Sequence, residues 1–115
     1  MYKNLEIWKE SVRLIKAIYK AADTLPRSED FNLKSQLKRA VISVALNIAE
    51  GKRRQSAKDF AHFLNLSIAS LSEVNAILDI CLELDYLKNI DEFNNTIEIL
   101  SKRINKLRNK LIENK

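Results

Sequence analysis

The sequence predicts an all-α fold, an antiparallel up-down-up-down four-helix bundle that occupies residues 1–115 as one domain. Three observations carry this. The chain of 115 residues holds one Gly and one Pro, too few breakers for a turn-rich fold, while Ala, Leu, Ile, Lys and Glu dominate. Apolar residues recur at three- and four-residue spacings over four long stretches. The joints between the stretches are short and carry helix stop and start residues, which makes sequence neighbours antiparallel. This length buries a core without staples.

The first helix is expected from about Leu5 to Thr24. Leu5, Trp8, Val12, Ile15, Tyr19 and Ala22 follow a 3-4-3-4-3 spacing, the seam of a helix lying nearly parallel to its neighbours. Ile7, Leu14 and Ile18 widen that face. Trp8 and Tyr19 are read as core anchors. Leu25-Pro26 ends the helix, because Pro disfavours helical geometry in the residue before it. Arg27 to Asn32 connects, with Ser28-Glu29-Asp30 able to form a helical turn and Asn32 placed to N-cap the second helix.

The second helix is expected from about Leu33 to Glu50. Leu33, Leu37, Val41, Val44 and Ile48 form its apolar row. Ala40, Ile42, Ala45, Leu46 and Ala49 make the second half apolar almost all round, which points to a subunit interface on the outer side. A polar row of Gln36, Arg39, Ser43, Asn47 and Glu50 shares one face. Three readings are open for it: a structural network to the third helix or to another subunit, a ligand-facing strip, or plain solvent exposure. Arg39 and Glu50 lie too far apart on the helix to pair directly.

Gly51 stands where a C-cap Gly belongs. Lys52-Arg53-Arg54-Gln55 makes the loop, and Ser56 N-caps the third helix with Asp59 three residues on. That helix runs from about Ala57 to Leu84, roughly 40 Å long. Phe60, Phe63, Leu64, Ile68, Leu71, Val74, Leu78, Cys81 and Leu82 supply its apolar face. Ser67 and Ser70 allow close approach to the polar row, and Glu73 is the candidate partner of Arg39. His62, the one His, is read as a surface or boundary residue. Asp85 to Asn89 turns the chain, with Tyr86 and Leu87 folding over the bundle end. Asp91 caps the fourth helix, about Glu92 to Glu113, whose seam is Ile90, Phe93, Ile97, Leu100, Ile104, Leu107 and Leu111.

Net charge is +5, and it is segregated. Residues 34–58 carry +6 and residues 101–115 carry +5, against −7 over residues 59–100. The expected topology gathers Lys3, Lys9, Lys52, Arg53, Arg54, Lys58, Lys106, Arg108, Lys110 and Lys115 at one pole. Asp23, Glu29, Asp30, Asp79, Glu83, Asp85, Asp91 and Glu92 gather at the other, with Lys34 and Lys38 as exceptions. Helix-dipole complementation accounts for the two ends of the fourth helix, but not for Asp79, Glu83 and Asp85, which oppose the dipole of the third. A basic pole attracts phosphate backbone through counterion release. Only Tyr2 and Trp8 are near it as aromatics, which favours backbone or shape contact over base reading.

The sequence has no Gly-rich phosphate loop, no Cys/His metal spacing, no second His and no Glu-x-x-His motif. The expectation is a protein that is not an enzyme and takes no cofactor or metal. The lone Cys81 excludes an internal disulfide. No apolar run approaches the ~20 residues of a membrane span, and the start of the chain lacks an apolar signal core. A cytoplasmic location without membrane association is expected.

Gln36-Leu37-Lys38-Arg39-Ala40, Ser43-Val44, Asn47-Ile48-Ala49-Glu50-Gly51, Arg54-Gln55-Ser56-Ala57-Lys58-Asp59-Phe60 and Phe63-Leu64 carry a resemblance. With Leu5-Glu6-Ile7-Trp8-Lys9 and Leu25-Pro26, the chain resembles the four-helix bundle family encoded in intervening sequences of bacterial 23S ribosomal RNA genes, often labelled S23 ribosomal protein. The resemblance implies an up-down bundle assembling as a ring-like homopentamer. In fold the family is similar to the accessory protein of diversity-generating retroelements, a basic pentamer that binds nucleic acid and a reverse transcriptase. Ala69 stands where the family usually has Gly, and Asn75 where it often has Glu.

The reading taken forward is a non-enzymatic homo-oligomer that binds nucleic acid, structured RNA first, through its basic pole. Lys52, Arg53, Arg54 and Lys58 lead the site, with Lys106, Arg108 and Lys110 in support. The structural polar network comprises Gln36, Arg39, Ser43, Asn47, Glu50, Ser70 and Glu73. The alternative is a protein–protein adaptor or scaffold. A third reading is a small-molecule site lined by Gln36, Arg39, Asn47 and Glu73.

Overall fold

The computed structural model describes residues 1–113, and the expected pole residue Lys115 lies outside them. It is all-α, with α1 at Glu6–Ala22, α2 at Leu33–Arg53, α3 at Ala57–Glu83 and α4 at Asp91–Glu113. Short 3-10 turns occupy Tyr2–Asn4 and Arg27–Glu29. No strand occurs among the described residues. Each helix packs on the next, α2 with α3 most extensively, while α1 and α4 touch less than any of these. The molecule measures 48 × 23 × 19 Å.

The apolar rows expected on α2 and α4 supply much of the core. Leu33, Leu37, Val41, Val44 and Ile48 are buried, as are Ile90, Ile97, Leu100 and Ile104. On α1 the buried stripe is rotated from the expected one. Ile7, Ser11, Leu14, Ile18 and Ala22 form it, while Trp8, Val12, Ile15 and Tyr19 flank it half-buried. Ser11 is the reason the periodicity misleads. It is fully buried, yet its hydroxyl donates to the Ile7 carbonyl at 2.7 Å, so a polar residue sits in the seam satisfied by its own helix. On α3 Ile77 is buried and Leu82 exposed, the reverse of the expected face.

By length and composition α3 is apolar enough to cross a membrane, contrary to the expectation that no segment is. Part of its apolar surface is occupied here: Phe60, Leu64, Leu71, Val74 and Leu78 are buried in the common core, while Leu66 and Ile80 are exposed.

The helix ends show which side chains set the joints. Ser56 N-caps α3, accepting from the Asp59 backbone N–H at 3.0 Å. Asn32 sits at the N-cap position of α2 but does not cap it. The Glu29 carboxylate does so, accepting from the Leu33 N–H at 3.3 Å and from the Asn32 side chain at 3.1 Å. Asn89 accepts from the Asp91 N–H at 2.9 Å and so caps α4 in place of Asp91. Asp85 has φ 61 and closes α3, with Tyr86 N–H returning to the Cys81 carbonyl at 2.9 Å and Asp85 N–H to the Leu82 carbonyl at 3.0 Å. This is the usual glycine stop executed by an aspartate.

Gly51 is not a C-cap. α2 continues through it to Arg53, and Gly51 is buried with no left-handed backbone. A Cβ there would lie 2.8 Å from Phe60 Cδ1 and 2.9 Å from Phe63 Cβ. The glycine exists to let α3 close against the last turn of α2.

Contacts tie the remaining ends together. Arg53 lies over Tyr2, and Lys58 and His62 of α3 share a cavity wall with Ile112 of α4. At the far end the Tyr86 hydroxyl donates to Glu29 at 3.2 Å.

Candidate nucleic-acid interface

The last turn of α2 and the three residues after it build a basic corner on top of a ring cluster. Because Gly51 lacks a side chain, Phe60 and Phe63 reach the α2 backbone. The cations that follow then settle on aromatic rings. Lys52 Nζ lies 5.9 Å from the Phe60 centroid, Arg53 Cζ 5.2 Å from Tyr2, and Arg54 Cζ 4.7 Å from Phe63. Such contacts order a long side chain while leaving its charge at the surface. Tyr2 is braced by Trp8, edge-on at 5.4 Å, and Phe63 by His62 at 5.6 Å. Arg54 Nε also pairs with Glu50 at 3.1 Å.

Lys58 is exposed in the first turn of α3 and lines a small cavity with Ala61, His62, Asn65 and Ile112. Lys106 and Lys110 are exposed on α4, while Arg108 is half-buried and donates to Asn105 at 3.1 Å and Asn109 at 3.0 Å. Among the described residues no carboxylate pairs with Lys52, Arg53, Lys58, Lys106, Arg108 or Lys110. Ring seats under cations are hard to read in the linear sequence, because Tyr2 is far from Arg53 along the chain and Phe63 lies on the helix after Arg54. The one local signal is Gly51 followed nine and twelve residues on by Phe60 and Phe63.

The polar row divides in three. Its middle joins α2 to α3: the Ser43 and Ser70 hydroxyls are 2.9 Å apart, and the Asn47 amide donates to the Ser43 carbonyl at 2.9 Å and hydroxyl at 3.0 Å. Beside it the buried Ser67 hydroxyl donates to the Val44 carbonyl. The upper end turns outward. Gln36 donates to Asn32 at 2.9 Å, and Arg39 to Ser35 at 3.2 Å. Arg39 therefore takes a partner on its own helix, and no ion pair joins it to Glu73. Both line an open cleft of about 400 Å³ with Phe31, Ser35, Gln36, Ala40 and Ser43. Asn47 is not part of that cleft, and Glu50 serves Arg54.

The opposite end handles its charges differently. Lys34 pairs with Asp30 at 2.6 Å and Lys38 with Asp23 at 2.9 Å. Lys38 also lies 4.8 Å from the centroid of the half-buried Tyr19. The hydrogen bond and charge of Lys38 hold the Asp23 carboxyl below its ordinary range, and the bond to Asp23 raises Lys38. Burial first, then Glu29, pushes the Tyr86 phenol up. Burial also raises the Cys81 thiol, so it is a poor nucleophile. Among the described residues no cluster of His, Cys, Asp and Glu is arranged to hold a metal.

A protein-family model described as 23S rRNA-intervening sequence protein matches residues 3–107. No curated protein matches the chain. Among solved structures, a protein of unknown function from the S23 ribosomal protein family of Bacteroides thetaiotaomicron has a similar fold. Its crystal structure superposes with a TM-score of 0.66 at 20% identity, covering 93% of this chain and 95% of that one.

Proposed function

The chain belongs to the 23S rRNA-intervening sequence protein family, and from that premise we propose that it is a non-enzymatic homo-oligomer that binds structured RNA through its basic corner. One observation carries the reading. At the α2–α3 turn Lys52 and Arg53 are seated on the rings of Phe60 and Tyr2, and neither they nor Lys58 has a carboxylate partner among the described residues. Unpaired, pre-seated cations are what a phosphate backbone recruits, with release of counterions.

The oligomer is the second half of the proposal. Taken as an up-down-up-down bundle, the molecule leaves one face of α2 and α3 unpartnered. Ile42, Leu46 and Ala49 lie on the α2 side, with Leu66, Ala69, Ala76 and Ile80 on the α3 side. Leu46 is 62% exposed and Ile80 46%. On α2 these positions are spaced four and three residues apart, and on α3 three, seven and four, with Glu73 in the wider gap, so both sets follow one helix face. A cytoplasmic, ring-like pentamer using that face would repeat the basic corner around one rim and add avidity.

The test is RNA binding against salt for the wild type and for a variant with Lys52, Arg53, Arg54 and Lys58 changed to Glu. The variant is expected to bind more weakly and to lose about one unit of the log–log salt slope per phosphate contact removed. Unchanged affinity and slope overturn the site. Light scattering checks the oligomer, and a monomer removes the α2–α3 interface.

A second reading, a protein–protein adaptor, draws on a different feature. Between α1 and α4 runs a groove of about 750 Å³ floored by Leu14, Ala17, Phe93 and Leu100, with the Glu10–Arg103 pair at its rim. An adaptor would show little salt-sensitive binding to heparin or generic RNA.

A further inference from the structure

We infer that the basic corner takes unpaired nucleobases as well as phosphates, stacking them on the guanidinium groups of Arg53 and Arg54. The inference rests on the RNA-binding reading above and narrows its ligand to RNA with single-stranded loops or ends.

The argument starts from what supports each guanidinium. Arg53 lies over Tyr2 at 5.2 Å, and Tyr2 is braced by Trp8 at 5.4 Å. Arg54 lies over Phe63 at 4.7 Å and is held at Nε by Glu50 at 3.1 Å. Both arginines are exposed. A guanidinium is planar and weakly hydrated, so a ring on one side and a base on the other make a continuous stack. An ammonium has no plane to offer, and Lys52 above Phe60 remains a point charge. Ordering a flexible arginine normally costs conformational entropy on binding, and the rings and Glu50 have met much of that cost in the free protein.

Backbone geometry separates the two positions. Arg53 is the last residue of α2, while Arg54 is extended at φ −72, ψ 151. One side chain turns to the chain start and the other to α3. The corner therefore offers two distinct platforms, suited to splayed bases. A duplex hides its base faces in its own stack and can use only the charge, whereas bases in loops and ends stack on aromatic and arginine planes. Few aromatics are free at this pole, and the arginines take over their role.

The experiment compares two RNAs with the same number of phosphates, a hairpin with an unpaired loop and a blunt duplex, the loop carrying 2-aminopurine. The full chain is expected to bind the hairpin about tenfold more tightly for one stacked base, and to quench the 2-aminopurine on binding. In the double variant R53K/R54K, which keeps the charge and removes the planes, the hairpin-to-duplex ratio is expected to fall towards one. Equal binding of both RNAs by the wild type overturns stacking and leaves the basic corner standing. A lysine variant that keeps the preference, or binding without quenching, overturns it as well. Failure to bind either RNA removes the RNA-binding reading itself.

Discussion

The two ends of the molecule are built from opposite charges and organised by opposite rules. At the α2–α3 corner Lys52, Arg53 and Arg54 rest on Phe60, Tyr2 and Phe63. At the other end Asp23 and Asp30 are matched to Lys38 and Lys34, and Glu29 caps α2 and holds Tyr86. Rings order a cation without neutralising it, so Lys52 and Arg53 keep their field, while Arg54 also pairs with Glu50. Carboxylates that cap helices and pair with lysines spend their charge inside the fold. Segregated charge is thus two devices: cations without carboxylate partners at the corner, and carboxylates matched to lysines or helix ends at the α1–α2 connection. Asp79, Glu83 and Asp85 at the end of α3 belong to neither, since none has an ion-pair partner among the described residues.

Substitutions can break this comparison from either side. Gly51→Ala should have the largest effect. Its Cβ would meet Phe60 Cδ1 at 2.8 Å and Phe63 Cβ at 2.9 Å, so α3 must move away from the seats of Lys52 and Arg54. Overpacking of this kind costs roughly 1–3 kcal/mol, outweighing the better helix propensity of Ala, about 1 kcal/mol. A lower urea midpoint, with weakened RNA binding beyond what lost stability explains, is the expected result. An unchanged midpoint would mean the ring cluster is not tightly seated.

Ser56→Ala removes the α3 cap at the same corner and should cost about 1 kcal/mol, read from the same titration. It leaves the ring seats in place, so any effect on RNA affinity should be smaller than that of Gly51→Ala. Asp85→Gly acts at the far end with the opposite sign. It relieves an L-residue held at φ 61 and should stabilise by about 0.5–1 kcal/mol, raising the midpoint without touching RNA binding.

The smallest effect is the pH dependence of the Asp23–Lys38 pair. Asp23 is depressed by Lys38, so its contribution is present above the ordinary carboxylate range and lost as pH falls through the depressed value. Lys38 is raised, so its contribution persists through neutral pH and is lost as pH rises through the raised value. The pair is exposed and screened by salt. Asp23→Asn should flatten the acid limb of stability against pH slightly at low salt, and the difference should vanish at high salt.

Much of the fold was legible from local pattern. The α2 row of Leu33, Leu37, Val41, Val44 and Ile48, the Ser56 cap and the α4 seam each depend on side chains within a turn or two of one another. Periodicity and capping chemistry report that range. Ser11 was not legible, because a serine in an apolar seam reads as a break until its hydroxyl is seen bonded to Ile7. The candidate cations were visible as a cluster, but not the rings beneath them. Spacing alone matches Arg39 to Glu73, while the structure gives it Ser35.

The sequence by itself determined four amphipathic helices, their joints and the separation of charge along the chain, since helix period, breakers and caps are properties of neighbouring residues. Tertiary structure decided the rotation of α1, the purpose of Gly51 and the partner of each arginine. Those depend on how closely two helices approach and which side chains then meet, and no spacing within a single helix encodes that distance.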